Sequence, residues 1–201
     1  MIETELGQLR RSHYSNDLNA SMDGTQVTVM GWVLTVRGHG NISFATVRDK
    51  NGDLSIVAKK GDCPDEIREK ISSLKAHSSI GVTGTIKASE KAPSGFEIIP
   101  TELRVFSEVT TIPPFEPTAK TVKNIDTRLE VRPIDLRRNI LQHVFKTRSL
   151  VLKTIRDYFN DQNFIEINTP KMIATATEGG AALFPIFYYN KEAFLAQSPQ
   201  L

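Results

Sequence analysis

The stretch QVTVMGWVLTVRGHGNISFATVRDKNGDLSIVA, residues 26–58, decides the fold of the first half of the chain. Apolar and polar residues alternate through it, as they do in strands that bury one face. The glycines at 38 and 40 interrupt the alternation, and the Asn51-Gly52 pair is a strong signal for a tight hairpin turn. The stretch therefore predicts three consecutive strands, over residues 26–36, 42–47 and 54–58.

The residues that follow change from the spacing of a strand to that of a helix and back. Ile67, Ile71 and Leu74 recur at helical intervals and predict a helix over residues 64–75. Alternation returns in two further runs, at 80–88 and 96–106. Three strands, a helix and two strands are the order of a five-stranded OB-fold barrel, although other small β-barrels share much of this pattern. OB-folds bind oligonucleotides and stack bases on aromatic side chains.

Three prolines, at positions 113, 114 and 117, mark the end of this first domain. They continue neither helix nor sheet, and so they predict a semi-rigid connector. From residue 136 the spacing is helical, with apolar residues on one broad face. A strand is predicted at 164–167, and the rest is predicted to be loop with short apolar pieces. We expect a barrel domain at 1–109, a linker at 110–135 and a second domain at 136–201.

Composition limits the classes of protein to which the chain can belong. Its formal net charge is +2 and 39% of its residues are hydrophobic, without an apolar run long enough to span a membrane. The only cysteine, Cys63, cannot form an intramolecular disulfide, which favours a reducing, cytoplasmic location. Basic residues concentrate between Lys120 and Arg156. That excess is equally compatible with binding a phosphate backbone and with a solvated helix face.

The second half carries a series of short motifs whose order is specific. A long predicted helix precedes NFIEINTP at 163–170, which looks like motif 1 of the class II aminoacyl-tRNA synthetases. The series as a whole resembles the archaeal-type aspartyl-tRNA synthetases. The other motifs in it are DTRL at 126–129, DLRR at 135–138, ATATEGG at 174–180, LFP at 183–185 and AFLAQSPQL at 193–201. The fold class implied is β plus α/β: an OB-fold barrel, then the start of a class II catalytic domain with an antiparallel sheet and helices.

The resemblance implies a reaction and its site residues. Members of this family use ATP and Mg²⁺ to convert L-aspartate to aspartyl-adenylate, and then transfer the aspartate to tRNA-Asp. Glu178 would close over the substrate and meet its ammonium group, while Ser198 and Gln200 would line the aspartate site. The motif 1 helix implies a homodimer, with Pro170 at the interface, although burial of the helix's apolar face within one subunit would give the same periodicity. The family's ATP-binding arginines, Mg²⁺ ligands and side-chain lysine would follow Leu201, so we expect these 201 residues alone to be inactive.

The barrel would bind the anticodon. By resemblance Phe44 would stack on an anticodon base and Arg37 would lie nearby, although alternation alone also allows Phe44 to face the barrel interior. Ser55 occupies a position where the family usually has a glutamine that reads the middle base. Pro93 and Leu34 match positions linked to discrimination between tRNA-Asp and tRNA-Asn. A proline there favours charging of both tRNAs, unless Pro93 only stiffens its turn.

Two other functions are compatible with the same residues. The chain could be a tRNA- or single-strand-binding OB module without catalysis. It could also belong to an asparaginyl-type relative, because those enzymes share the architecture. The segment that follows Leu201 would separate the first alternative from a ligase, and binding of aspartyl- or asparaginyl-adenylate analogues would separate the second.

Overall fold

The computed structural model of the chain describes residues 7–117, 119, 123–174 and 183–199. The chain divides into two compact units, Met1–Arg137 and Arg138–Leu201. Among the described residues, no helix has the length and apolar character that crossing a membrane requires.

The first unit is built around a closed barrel of five strands. The strands follow one another around it in the order β1-β2-β3-β5-β4, and only the β3–β5 contact is parallel. This is the predicted OB-fold order, with a helix between the third and fourth strands. The elements are β1 (Gln26–His39), β2 (Ile42–Arg48), β3 (Asp53–Lys59), α1 (Asp65–Ser73), β4 (Ser79–Ala88) and β5 (Phe96–Ser107).

Strand β1 is long because it pairs with two neighbours. Its first half pairs with β4 and its second half with β2, and Trp32 lies opposite both Ser79 and Arg48. Leu34 is an extra residue in the β1–β2 ladder, a bulge that bends the strand where it changes partner. The break predicted at Gly38 is wrong, since pairing with β2 continues to His39.

Alternate residues of the strands point inward and form one apolar core. Branched aliphatic side chains predominate there, as expected for strands that pack on a closed interior. Helix α1 contributes Ile71, which is fully buried. The fully buried aliphatic residues from the strands are Val27, Val29, Val33, Val47, Leu54, Ile56, Ile80, Val82, Ile86 and Ile98.

Asp49, at the β2–β3 turn, ties the N-terminal segment to the barrel. Its buried carboxylate accepts hydrogen bonds from the backbone N–H and the hydroxyl of Ser15, both at 2.7 Å. It also accepts from the backbone N–H groups of Asn51 and Gly52, at 2.7 and 3.1 Å. Burial alone would raise the pKa of Asp49, but these hydrogen bonds, led by the Ser15 hydroxyl, outweigh it and lower the pKa.

Replacing Asp49 by asparagine is expected to reduce the free energy of unfolding by about 2 kcal/mol at neutral pH. An amide cannot accept from all four donors, because its nitrogen is itself a donor. Because the pKa of Asp49 is lowered in the folded protein, its carboxylate adds to the free energy of unfolding at pH values above the ordinary carboxyl pKa. That added stability over Asp49→Asn is lost as the pH falls below about 4. Urea unfolding of both proteins between pH 7 and pH 3 measures this.

The matched control is Asp62→Asn, because Asp62 is exposed and its nearest cation, Lys87, is 3.9 Å away. This variant should follow the wild type at every pH. A wild-type advantage over Asp49→Asn that stays constant down to pH 3 would contradict the role assigned to the carboxylate.

The linker contains structure that its composition does not reveal. Helices α2 (Ile125–Glu130) and α3 (Arg132–Asp135) lie in it. Asp135 is fully buried and its carboxylate is bound by two arginines, Arg128 at 3.0 and 3.2 Å and Arg132 at 2.9 Å. The guanidinium of Arg137 lies 4.3 Å from the centroid of the Trp32 ring, and its burial lowers the pKa of Arg137. The residues just after the linker are thus attached to strand β1.

The second unit consists of a long helix and a small antiparallel sheet. The helix, α4 (Asn139–Asp161), confirms the predicted periodicity. The strand predicted at 164–167 is wrong, since these residues pair with no other strand in the described part of the chain. A sheet of order β6-β8-β7 lies instead in the region predicted to be loop. Its strands are β6 (Met172–Ile173), β7 (Pro185–Tyr188) and β8 (Lys191–Leu195).

Candidate nucleic-acid interface

The outer face of strands β1, β2 and β3 carries the predicted aromatic residue. Phe44 lies opposite Arg37 on β1 and opposite Val57 on β3. Its side chain is 40% exposed, whereas its neighbours in sequence, Ser43 and Ala45, are buried. Phe44 therefore points away from the barrel interior, and the inward-facing alternative is excluded.

Two arginines share this face but differ in their partners. Arg48 forms a forked ion pair with Asp53, in which Nε and Nη2 lie 2.5 and 2.7 Å from the two carboxylate oxygens. That hydrogen-bonded pair raises the pKa of Arg48 and neutralises its charge locally. Arg37 is exposed and has no carboxylate partner among the described residues. It is consequently the cation beside Phe44 that can bind a phosphate group.

Ser55 lies in the neighbouring row of the same face. It is half-buried and sits opposite Thr46 on β2, which in turn sits opposite Thr35 on β1. The two threonines could not be identified from the sequence, because their alignment depends on the strand register. The only feature of the sequence that points to them is the alternation of polar and apolar residues along each strand, which places them on the exposed face but does not align them with each other.

The two positions expected to discriminate between tRNAs lie in different parts of the barrel. Leu34 forms the β1 bulge and is half-buried. Pro93 is exposed on the β4–β5 turn, which is closed by hydrogen bonds between Ser89 and Gly95 (2.9 Å) and between Gly95 and Ala92 (2.9 Å). The bulge at Leu34 and the turn at Pro93 are each compatible with a role in tRNA specificity and with a purely structural role.

The predicted aspartate site falls mostly outside the described residues. Glu178 and Gln200 lie beyond them, and Ser198 is exposed after strand β8. Pro170 is also exposed, in the extended segment that follows α4. Helix α4 buries none of its residues. Its exposed large apolar side chains are Ile140, Val144, Phe145, Leu150, Val151, Leu152, Ile155, Tyr158 and Phe159.

The arrangement on the barrel has the components of a single-strand-binding surface. An exposed aromatic ring provides a stacking platform for any base, and hydroxyl groups can bind base edges. The cation next to the ring has no carboxylate partner among the residues that the structure describes. Among the described residues, no three His, Cys, Asp or Glu side chains converge as metal ligands do. The groups on this face are of the kinds that bind a single-stranded nucleic acid.

Two family models match the chain, one for each unit. Residues 27–106 match the family described as OB-fold nucleic acid binding domain. Residues 124–201 match the family described as tRNA synthetases class II (D, K and N).

Individual relatives agree with these matches. The aspartate–tRNA(Asp/Asn) ligases of Methanococcus aeolicus and Methanocaldococcus jannaschii are 46% and 48% identical to the chain, over 98% and 96% of its length. The chain spans only 45% and 44% of those relatives. The asparaginyl-tRNA synthetase of Pyrococcus horikoshii, solved with asparaginyl-adenylate, superposes with a TM-score of 0.86 at 29% identity, over 96% of this chain and 44% of that one. The chain is thus homologous over nearly its whole length to the aspartate–tRNA(Asp/Asn) ligases, and its residues 124–201 carry the match to the class II tRNA synthetases.

Proposed function

We propose that this chain acts as part of an aspartate–tRNA ligase, in which the barrel binds the anticodon of tRNA-Asp. The observation that carries the proposal is that exposed Phe44 lies opposite Arg37 on the outer face of the barrel, and that Arg37 has no carboxylate partner within the described part of the chain. The names of the relatives supply the amino acid and the class of RNA. In keeping with this role, we expect the protein to be cytoplasmic.

Replacing Phe44 by alanine is expected to weaken binding of a tRNA-Asp anticodon hairpin about 10-fold or more. Stacking of a base on an aromatic ring contributes about 1–3 kcal/mol. Fluorescence anisotropy with a labelled hairpin measures the change, and Phe187→Ala, which removes another exposed phenylalanine in the second unit, is the control. Equal affinities for the wild type and Phe44→Ala would contradict anticodon binding on this face.

The amino-acid half of the proposal concerns the second unit. We propose that Glu178 binds the ammonium group of L-aspartate and that Ser198 and Gln200 line the same pocket. Synthetases of this class draw on ATP and Mg²⁺ generally, but the described residues offer no cluster of metal ligands. We therefore propose none of the described residues as a Mg²⁺ ligand.

Charging assays with the full-length protein test the reaction and its tRNA specificity together. We expect aspartate to be attached to tRNA-Asp and, given Pro93 at the β4–β5 turn, to tRNA-Asn as well. A preference of about 100-fold or more for tRNA-Asp would reject the relaxed specificity. Activation of asparagine instead of aspartate would place the protein with enzymes such as the Pyrococcus horikoshii homologue.

We also propose that the protein is a homodimer in which α4 and the segment after it form the interface. The helix carries an apolar face that the described residues of its own unit leave largely exposed. The apolar surface continues beyond it through Phe164, Ile165 and Ile167, which are 63%, 87% and 74% exposed. An apolar surface of this extent normally marks a protein–protein contact. Pro170 lies at the end of that segment.

A further inference from the structure

Arg137 is the last residue of the first unit, and its side chain returns to the barrel. The guanidinium lies over the Trp32 ring, 4.3 Å from the ring centroid. No carboxylate pairs with it within the part of the chain that the structure describes, and burial alone lowers the pKa of Arg137. A planar guanidinium suits this arrangement, because it stacks on aromatic faces and is more weakly hydrated than an ammonium group. The Trp32 ring is therefore what holds this partly buried cation.

Strand β1 gives the Trp32 ring a rigid support. Trp32 is paired with Ser79 on β4 and with Arg48 on β2, at the point where β1 changes partner. Its backbone is held from both sides, so the position of the ring follows that of the barrel. Arg138, the residue after Arg137, is the N-cap of α4. The stacked contact consequently fixes the chain to the barrel immediately before α4 begins.

Another attachment to the barrel lies near the start of the linker. Phe115 is buried there, and Nε2 of His77 lies 3.0 Å from the Glu116 carboxylate. Residues 117–136 separate this attachment from Arg137. Loss of the Arg137–Trp32 contact would therefore add as much as this segment to the free chain between the barrel and α4. A longer flexible connection lowers the effective concentration of two linked binding sites, roughly as the −3/2 power of its length.

We infer that Arg137 and Trp32 are positioning residues for tRNA charging, because their contact fixes the point at which the chain leaves the barrel. The inference rests on the proposed function, in which one tRNA is bound by the barrel while the second unit charges it. With the chain fixed just before α4, a tRNA that is bound by its anticodon is presented to the second unit at a high effective concentration. The contact lies wholly within the first unit, and neither side chain has to touch RNA for this effect.

Charging assays with the full-length protein test the inference. Arg137→Gln and Trp32→Leu should each raise the KM for tRNA-Asp about 10-fold. The rate of aspartyl-adenylate formation, measured by ATP–pyrophosphate exchange, should stay unchanged, because that step needs no tRNA. The double variant should be no worse than either single variant, since both remove one contact. Trp32→Phe keeps an aromatic face and should stay within about 3-fold of the wild type.

Arg11→Gln is the matched control. It also removes a guanidinium from an aromatic ring in the first unit, because Arg11 lies 4.3 Å from the centroid of the Tyr14 ring. Arg11 is far along the chain from α4, and so this variant should leave the KM unchanged. All single variants should bind the anticodon hairpin as the wild type does, which also shows that the barrel is folded.

Hydrogen exchange in the full-length protein measures the attachment itself, without reference to catalysis. The backbone amides of α2 and α3 should exchange about 10-fold faster in Arg137→Gln than in the wild type, because the residues that follow them are no longer held on the barrel. Arg11→Gln should leave their exchange unchanged. Equal exchange rates in Arg137→Gln and the wild type would show that the stacked contact does not hold this part of the chain.

The outcomes separate a positioning role from direct binding of RNA by Arg137. A phosphate contact would reduce the salt dependence of tRNA binding by about one unit of slope in Arg137→Gln, whereas a positioning contact leaves the slope unchanged. A reduced slope would therefore overturn the inference. So would a raised KM in Arg137→Gln alone, with Trp32→Leu folded and equal to the wild type.

The remaining outcomes separate the inference from the proposed function. If neither variant changes the KM although Phe44→Ala weakens hairpin binding, the positioning role is wrong and anticodon binding by the barrel still holds. If the wild type charges no tRNA, or Phe44→Ala has no effect on hairpin binding, the proposed function fails and the positioning role fails with it.

Discussion

Replacing Gly31 by alanine is expected to lower the free energy of unfolding of the barrel by about 3 kcal/mol, the upper end of the usual cost of overpacking. A Cβ atom at this position would overlap the backbone carbonyl of Arg48 and lie 2.8 Å from Cγ1 of Val47. The carbonyl belongs to the neighbouring strand and cannot rotate away as a flexible side chain would. Strand β1 passes this point just before the bulge at Leu34, where it changes partner from β4 to β2.

Gly38→Ala is the control, because it lies on the same strand and a Cβ there would have no atom within 4 Å. Alanine at position 38 should leave stability unchanged or raise it slightly. Urea unfolding followed by the fluorescence of Trp32, the only tryptophan of the chain, measures both variants. Equal midpoints for Gly31→Ala and the wild type would show that the two strands can move apart at low cost.

Replacing Ile155 by aspartate is expected to weaken dimerisation on the order of 100-fold or more, the range seen when a central interface residue is lost. Ile155 lies on the apolar face of α4, between its centre and the exposed residues that follow the helix, and is 49% exposed in the single chain. In a dimer that covers the face, the new carboxylate would be buried without a partner, which costs much more than the lost apolar contact. Sedimentation at several protein concentrations measures the dissociation constant.

Lys146→Asp places a carboxylate on the polar side of the same helix, where Gln142, His143 and Ser149 are its neighbours at helical spacing, and should leave the dimer intact. If both variants remain dimeric, α4 is not the interface. If the wild type is monomeric at all concentrations, a different occupant covers the apolar face of the helix.

The barrel was predictable from the sequence because its signals are local. Alternation in each strand and the Asn51-Gly52 turn specify the hairpin without knowledge of distant residues. The sheet of the second unit was missed for the opposite reason. Strands of two to five residues, such as β6 and β8, are too short to show a period. The segment at 164–167 shows why an apolar run alone is insufficient, since a strand also needs a partner.

The candidate site was predictable only where its features depend on local sequence. Exposure of Phe44 follows from its position in the alternation, once the face of the barrel is known. The alignment of Thr35, Thr46 and Ser55 across three strands could not be predicted, because it depends on a register that includes the Leu34 bulge. The buried Asp135 was likewise not identified, since its two arginine partners make a charged residue compatible with the interior only after folding.

The double pairing of β1 has a consequence for synthesis on the ribosome. Its second half can pair as soon as β2 emerges, but its first half must wait for β4, with Gln26 meeting Thr85. Until then one edge of the strand exposes unpaired N–H and C=O groups, which are able to recruit other chains. The most vulnerable period for the nascent barrel is therefore the interval in which α1 and the residues up to Ala88 are still being translated.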